Sequence, residues 1–95
     1  MFVIMVTYVK PLAEIDKHLE AHRRFLDEGY TAGIFLASGP RVPRTGGVIL
    51  AQAASAEELK AFMNKDPFHL AGVATYDIVE FTPLKYDPRL QQILK

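Results

Sequence analysis

Apolar residues fill the segment from Phe2 to Tyr8 with no polar alternation, the pattern of a strand covered on both faces. Lys10-Pro11 ends it. From Leu12 to about Glu28 the period changes: Ile15, Leu19 and Leu26 recur at spacings of four and seven, and Asp16, Arg23, Arg24 and Asp27 fall opposite them. That spacing predicts one amphipathic helix. Gly29 stands where a helix C-cap wants a residue free to adopt positive φ, and the apolar run Gly33 to Ser38 predicts a second strand.

The stretch Gly39-Pro40-Arg41-Val42-Pro43-Arg44-Thr45-Gly46-Gly47 is dense in turn formers and reads as a loop, followed by a third strand from Val48 to Ala53. Ser55-Ala56-Glu57-Glu58 matches a capping box, in which hydroxyl and carboxylate satisfy free amides at a helix start, so a helix is expected through Met63. Asp66-Pro67 marks a fresh start, with Asp as cap and Pro in the first turn, and Gly72 breaks the segment. Thr75 to Phe81 alternates as a fourth strand, and Asp87-Pro88 caps a short C-terminal helix running to the end.

The resulting order, βαββαβ plus a tail at 86–95, is the split βαβ arrangement of a ferredoxin-like α+β domain, with a four-stranded antiparallel sheet under two helices. Two helices cover only one sheet face. Yet the first strand, Ile34 to Leu36 and Val48 to Leu50 are apolar at successive positions that point both ways. A second copy of the chain is the simplest cover, so a homodimer with a barrel-like dimeric α+β assembly is expected.

Composition narrows the partners. Ninety-five residues suit a single domain, 1–95, with one core. Eleven basic and eleven acidic side chains cancel and form no basic stripe, which argues against nucleic acid. There is no cysteine, in agreement with a reducing cytoplasm. The apolar N-terminal run is too short to span a bilayer and lacks the flanks of a signal peptide. No membrane association is expected.

Candidate chemistry centres on His22. At about 100° per residue it projects close to Ile15, in the middle of the apolar stripe, so its ring points inward. It reads equally well as a core histidine bonded to a carbonyl or as an acid/base with a partner. Asp66 reads first as the cap of the Pro67 segment, but a carboxylate beside a buried imidazole also favours the charged ring and fixes its tautomer. His18, one turn earlier, is a candidate for the same rim. His69 invites a metal reading with His18, His22 and Asp66, but no C-x-x-C or H-E-x-x-H pattern supports one, and no metal is assigned. Arg41 and Arg44 are candidates for a substrate carboxylate or phenolate, and Gly46-Gly47 for backbone contacts to an anion. Ser38 lacks a G-x-S-x-G elbow and is read as a hydrogen-bonding residue, not a nucleophile. Tyr8, Phe35, Phe68 and Tyr76 are candidate walls of a small apolar pocket.

The N-terminal apolar strand, the helix with His18-Leu19-Glu20-Ala21-His22, the run Leu36-Ala37-Ser38-Gly39-Pro40, the Gly-Gly before the third strand and Asp66-Pro67-Phe68 together resemble the YCII-related family over nearly the whole chain. The resemblance implies a dimeric ferredoxin-like fold with a His-Asp pair in a cleft. It implies His22 as the proton-transferring group, Asp66 as its orienting partner, and Ser38 and Gly39 as nearby pocket wall. Arg44, His18 and Phe68 complete the expected substrate-binding set.

The family is similar to a dehydrochlorinase-type lyase that removes HCl from a hydroxylated ring, a reaction that needs acid/base help and no cofactor. The first expectation is therefore a cofactor-free lyase or isomerase acting on a small hydroxylated, aromatic molecule. The second is a dimeric module that binds such a molecule without converting it. The third is a purely structural His22–Asp66 bond.

Overall fold

In the computed structural model, which describes residues 1–94, the chain forms β1 (Phe2–Tyr8), α1 (Leu12–Asp16), α2 (Leu19–Thr31), β2 (Phe35–Pro40), β3 (Gly46–Ala51), α3 (Ala56–Met63), α4 (Pro67–Leu70) and β4 (Ala74–Glu80). The sheet order is β2-β3-β1-β4 and every neighbouring pair is antiparallel. This is the expected ferredoxin-like α+β architecture.

Register decides which side chains meet the helices. Ile4 lies opposite Ile49 on one side and Ile78 on the other, and Val6 lies between Gly47 and Tyr76. Phe2, Ile4, Val6 and Ile49 are buried and pack with Phe25 of α2 and with Leu59 and Met63 of α3. The alternate positions Val3, Met5, Val48 and Leu50 are half-buried on the opposite face. No helix among the described residues is long and apolar enough to cross a membrane.

Four sequence expectations need correction. The helix expected as continuous from Leu12 breaks at Lys17–His18: His18 leaves helical geometry (φ −110°, ψ 3°) and becomes the N-cap of α2. Gly29 is not the C-cap. It lies inside α2, where a Cβ would come within 2.1 Å of the Phe35 ring, and the left-handed position is Gly33 (φ 74°). A side chain at 29 would push α2 off the sheet, whereas Gly33 supplies the reversal.

The strands flanking the expected loop run into it. β2 continues through Gly39-Pro40, β3 starts at Gly46, and the Arg41 amide donates to the Gly46 carbonyl at 2.9 Å. Backbone pairing does not require apolar side chains, so the apolar runs mark only part of the ladder. Gly46 itself faces the β1 backbone, where a Cβ would sit 1.8 Å from the Val6 carbonyl oxygen. Its role there is close packing.

At the C-terminus the expected helix is a single 3₁₀ turn, Pro88–Leu90, capped by Asp87, whose side chain accepts from the Arg89 amide. The tail is tied to the sheet where the Gln52 side-chain amide donates to the Ile93 carbonyl at 2.9 Å. Lys95, the end of the expected helix, lies outside the described residues.

Candidate active site

Asp66 and His22 meet at the base of a cavity between α2 and the sheet. Asp66 ends the turn after α3 and caps α4, where its Oδ1 accepts from the Phe68 amide at 3.0 Å. Pro67 fills the first helical position, which needs no amide donor. The same Oδ1 lies 2.8 Å from Nδ1 of His22. The Tyr76 hydroxyl, from β4, donates to Oδ2. Asp66 is 0 % exposed, and these donors are what make a buried carboxylate tolerable.

This donor set fixes the tautomer of His22. An ionised carboxylate only accepts, so Nδ1 carries the proton and the lone pair is left on Nε2. Tyr76 holds its own proton firmly: burial first, and the bond to Asp66 second, push its phenol well above the ordinary range. It therefore stays a donor.

Phe68 secures the ring from its face, with centroids 3.9 Å apart and planes 5° from parallel. One segment, Asp66-Pro67-Phe68, thus grips the imidazole at an edge and on a face. The His22 side chain retains 12 % exposure. No buried side-chain nitrogen or oxygen among the described residues lacks a partner, so Nε2, which has none, is reached from the cavity.

The cavity measures about 360 Å³ and is lined by Val6, Tyr8, Leu19, His22, Arg23, Leu26, Ser38, Gly39, Pro40, Arg44, Ile49 and Phe68, among others. Its walls are apolar with a few polar groups on the rim, the usual build of a small-molecule site. Ser38 Oγ is 2.8 Å from the Tyr30 hydroxyl. Arg44 donates to Asp16 Oδ1 at 2.7 Å, and its guanidinium lies 6.0 Å from the centroid of the Tyr8 ring.

The structure therefore brings together His22, Ser38, Gly39, Arg44 and Phe68 around one cavity, with Tyr8 added and Asp66 buried behind the His22 ring. His18 stays outside: its carbonyl accepts from the His22 amide at 2.9 Å, one turn below, but as the non-helical N-cap of α2 it is absent from the cavity lining. His69 lies on the far side, with its ring 5.9 Å from that of Tyr76 beside a second, shallower depression. No group of three or more His, Cys, Asp or Glu side chains among the described residues is arranged to hold a metal ion. Phe35 belongs to the core.

Two residues take roles other than those their sequence positions suggest. Tyr76 was a candidate pocket wall but is a hydrogen-bond donor to Asp66; its alternation with Ala74 and Ile78 on β4 was the available signal. Arg23 was placed on the polar face of the helix but lines the cavity, because it follows Leu19 by four residues and precedes Leu26 by three.

Comparisons with known proteins bear on the fold of the chain. The YCII-related domain matches residues 1–82. Among solved structures, 5-chloro-2-hydroxyhydroquinone dehydrochlorinase (TftG) from Burkholderia phenoliruptrix AC1100, in complex with 2,5-dihydroxybenzoquinone, superposes with a TM-score of 0.71 at 20 % sequence identity, over 85 % of this chain and 93 % of that chain. At that identity the likeness is one of fold. The comparison with curated proteins finds no match.

Proposed function

The chain belongs to the YCII-related domain family, and on that premise we propose that it is a cofactor-free acid/base enzyme of lyase or isomerase type, acting on a small hydroxylated aromatic molecule. The observation that carries the proposal is the His22–Asp66 bond at 2.8 Å, with the carboxylate fully buried and Nε2 turned to the cavity. A neutral imidazole oriented by a carboxylate is the arrangement a general base requires. The structural neighbour, a dehydrochlorinase in complex with 2,5-dihydroxybenzoquinone, supports a hydroxylated ring as the substrate class.

In this reading the substrate hydroxyl donates to Nε2. As His22 takes that proton, the O–H electron pair becomes a C=O bond, and the imidazolium then returns the proton to a ring carbon, which completes the isomerisation to the keto form. If that carbon bears chlorine, a second hydroxyl then loses its proton while the C–Cl pair departs with chloride. The net loss is H⁺ and Cl⁻, with no electron passed to an outside acceptor. Asp66 stabilises the imidazolium between the steps. Ser38, Gly39, Arg44 and Phe68 form the substrate-binding walls.

We further propose a homodimer, formed through the half-buried sheet face, working as a single-domain protein in a reducing cytoplasm. Chloride release and product mass, measured over a panel of chlorinated hydroquinones with wild type and His22→Ala, test the function. Turnover by the wild type that His22→Ala abolishes is the expected result. Saturable binding with no product would favour the reading of the same cavity as a non-catalytic binding module.

A further inference from the structure

Four side chains of α2 face the cavity: Leu19, His22, Arg23 and Leu26. They fall within about 100° of helix surface. Arg23 is thus set between two leucines, next to the proposed base, although it is a cation and is exposed.

The charges around the cavity do not balance. Arg44 is offset by Asp16 at 2.7 Å. Arg24, adjacent in sequence but absent from the lining, is offset by Glu20 at 3.3 Å. Arg23 makes no ion pair among the described residues. No Asp or Glu lines the cavity, and the nearest buried carboxylate, Asp66, is already shared among His22, Phe68 and Tyr76. With Nε2 unprotonated, one uncompensated positive charge remains at the edge of a pocket with apolar walls. Such walls focus the field and strengthen its pull on an anion.

We propose that Arg23 is a specificity-determining residue which makes the cavity select a monoanion: a hydroxylated ring that carries a carboxylate or an ionised phenol. The anionic oxygen pairs with the guanidinium, whose planar fork matches a carboxylate, and the neutral hydroxyl donates to His22 Nε2. The volume of about 360 Å³ suits one such ring. This inference rests on the acid/base reading for the role of Nε2, but the charge selection is separable from it.

The test compares two probes of nearly the same shape, 3-hydroxybenzoate and 3-hydroxybenzamide, by equilibrium titration calorimetry at low salt. Wild type is expected to bind the benzoate about tenfold or more tightly than the amide. Arg23→Gln is expected to remove that preference, and Arg24→Gln to retain it, all three proteins melting at the same temperature. Equal affinities in the wild type, an undiminished preference in Arg23→Gln, or no binding of either probe would overturn the inference. The titration needs no turnover. If the acid/base reading fails, the preference is still seen and no product forms from any ring; if only the inference fails, turnover persists with no dependence on Arg23.

Discussion

The Tyr76 hydroxyl donates to Oδ2 of Asp66, on the side of the carboxylate away from the oxygen that holds His22. The imidazole is therefore oriented by a carboxylate that is itself oriented by β4, and the sheet sets the position of the base on α2 through two hydrogen bonds.

That relationship predicts an alkaline signature. The Tyr76 phenol is raised from an ordinary value of 10.0 by burial and by Asp66, so the folded protein keeps a proton that the unfolded chain gives up. Above about pH 10 the unfolded state binds fewer protons than the native state, and the free energy of unfolding falls with pH. The contribution is complete below about pH 10 and is lost as pH rises further. Tyr76→Phe should be less stable than wild type at neutral pH by about 1–3 kcal/mol, because Oδ2 loses its donor. Its stability should also decline less steeply from about pH 9 to 11. Parallel wild-type and mutant curves in chemical denaturation over that range would contradict the account.

Replacing Asp66 should separate geometry from charge. Asp66→Ala leaves the donors of His22, Phe68 and Tyr76 without their acceptor in a buried place, and is expected to cost about 3–5 kcal/mol. Asp66→Asn can keep its oxygen toward His22 and Phe68 and turn its amide toward Tyr76, whose hydroxyl then accepts. It should cost about 1 kcal/mol. Without the negative charge that stabilises the imidazolium, however, turnover should fall on the order of 10²-fold or more. Urea melts and rates measured on both variants check this, and a stable, fully active Asp66→Ala would remove Asp66 from the mechanism.

The tautomer is directly observable. Long-range ¹⁵N–¹H spectra of ring-labelled protein at a pH where His22 is neutral should show Nδ1 protonated and Nε2 bare. Phe68→Ala, which removes the face the ring stacks on, should broaden or average these signals and lower stability by about 3–5 kcal/mol as a buried phenyl is lost. A neutral ring protonated at Nε2 in the wild type would reverse the proposed direction of proton transfer.

Much of this site was legible in the sequence because local and tertiary signals coincide there. Asp66-Pro67 reads as a cap, and the cap is what fixes Asp66 beneath α2; His22 reads as inward-facing, and it is. What stayed hidden depends on contacts between distant segments. Gly29 resembles a C-cap locally, and only the nearness of the Phe35 ring shows that it is there for lack of a side chain. Tyr76 lies 10 residues from Asp66, and nothing short of the β1–β4 register brings its hydroxyl to the carboxylate. Arg23 was misplaced because the apolar stripe was centred on Ile15, which belongs to a separate helix. Centred on Leu19 and Leu26, the same wheel puts Arg23 among the lining residues.

The sheet face away from the helices carries the last prediction. Val3 pairs across from Leu50 and Val79, and Met5 from Val48 and Asp77, so the middle of that face is an apolar ladder with one acid at its margin. Val3, Met5, Val48 and Leu50 are only half-buried, and Val79 is 50 % exposed. Stable pairs of proteins bury about 800 Å² on each partner, and a two-fold axis lets the same patch serve both copies. Sedimentation equilibrium at micromolar concentration should return the mass of two chains. Met5→Lys adds a charge at the centre of the ladder, where its long stem can stay over the sheet in a monomer but its ammonium has no exit from a dry interface. That variant should sediment as one chain with its far-ultraviolet dichroism unchanged. A wild type that sediments as one chain, or a Met5→Lys variant that stays paired, would mean that this face is not the contact.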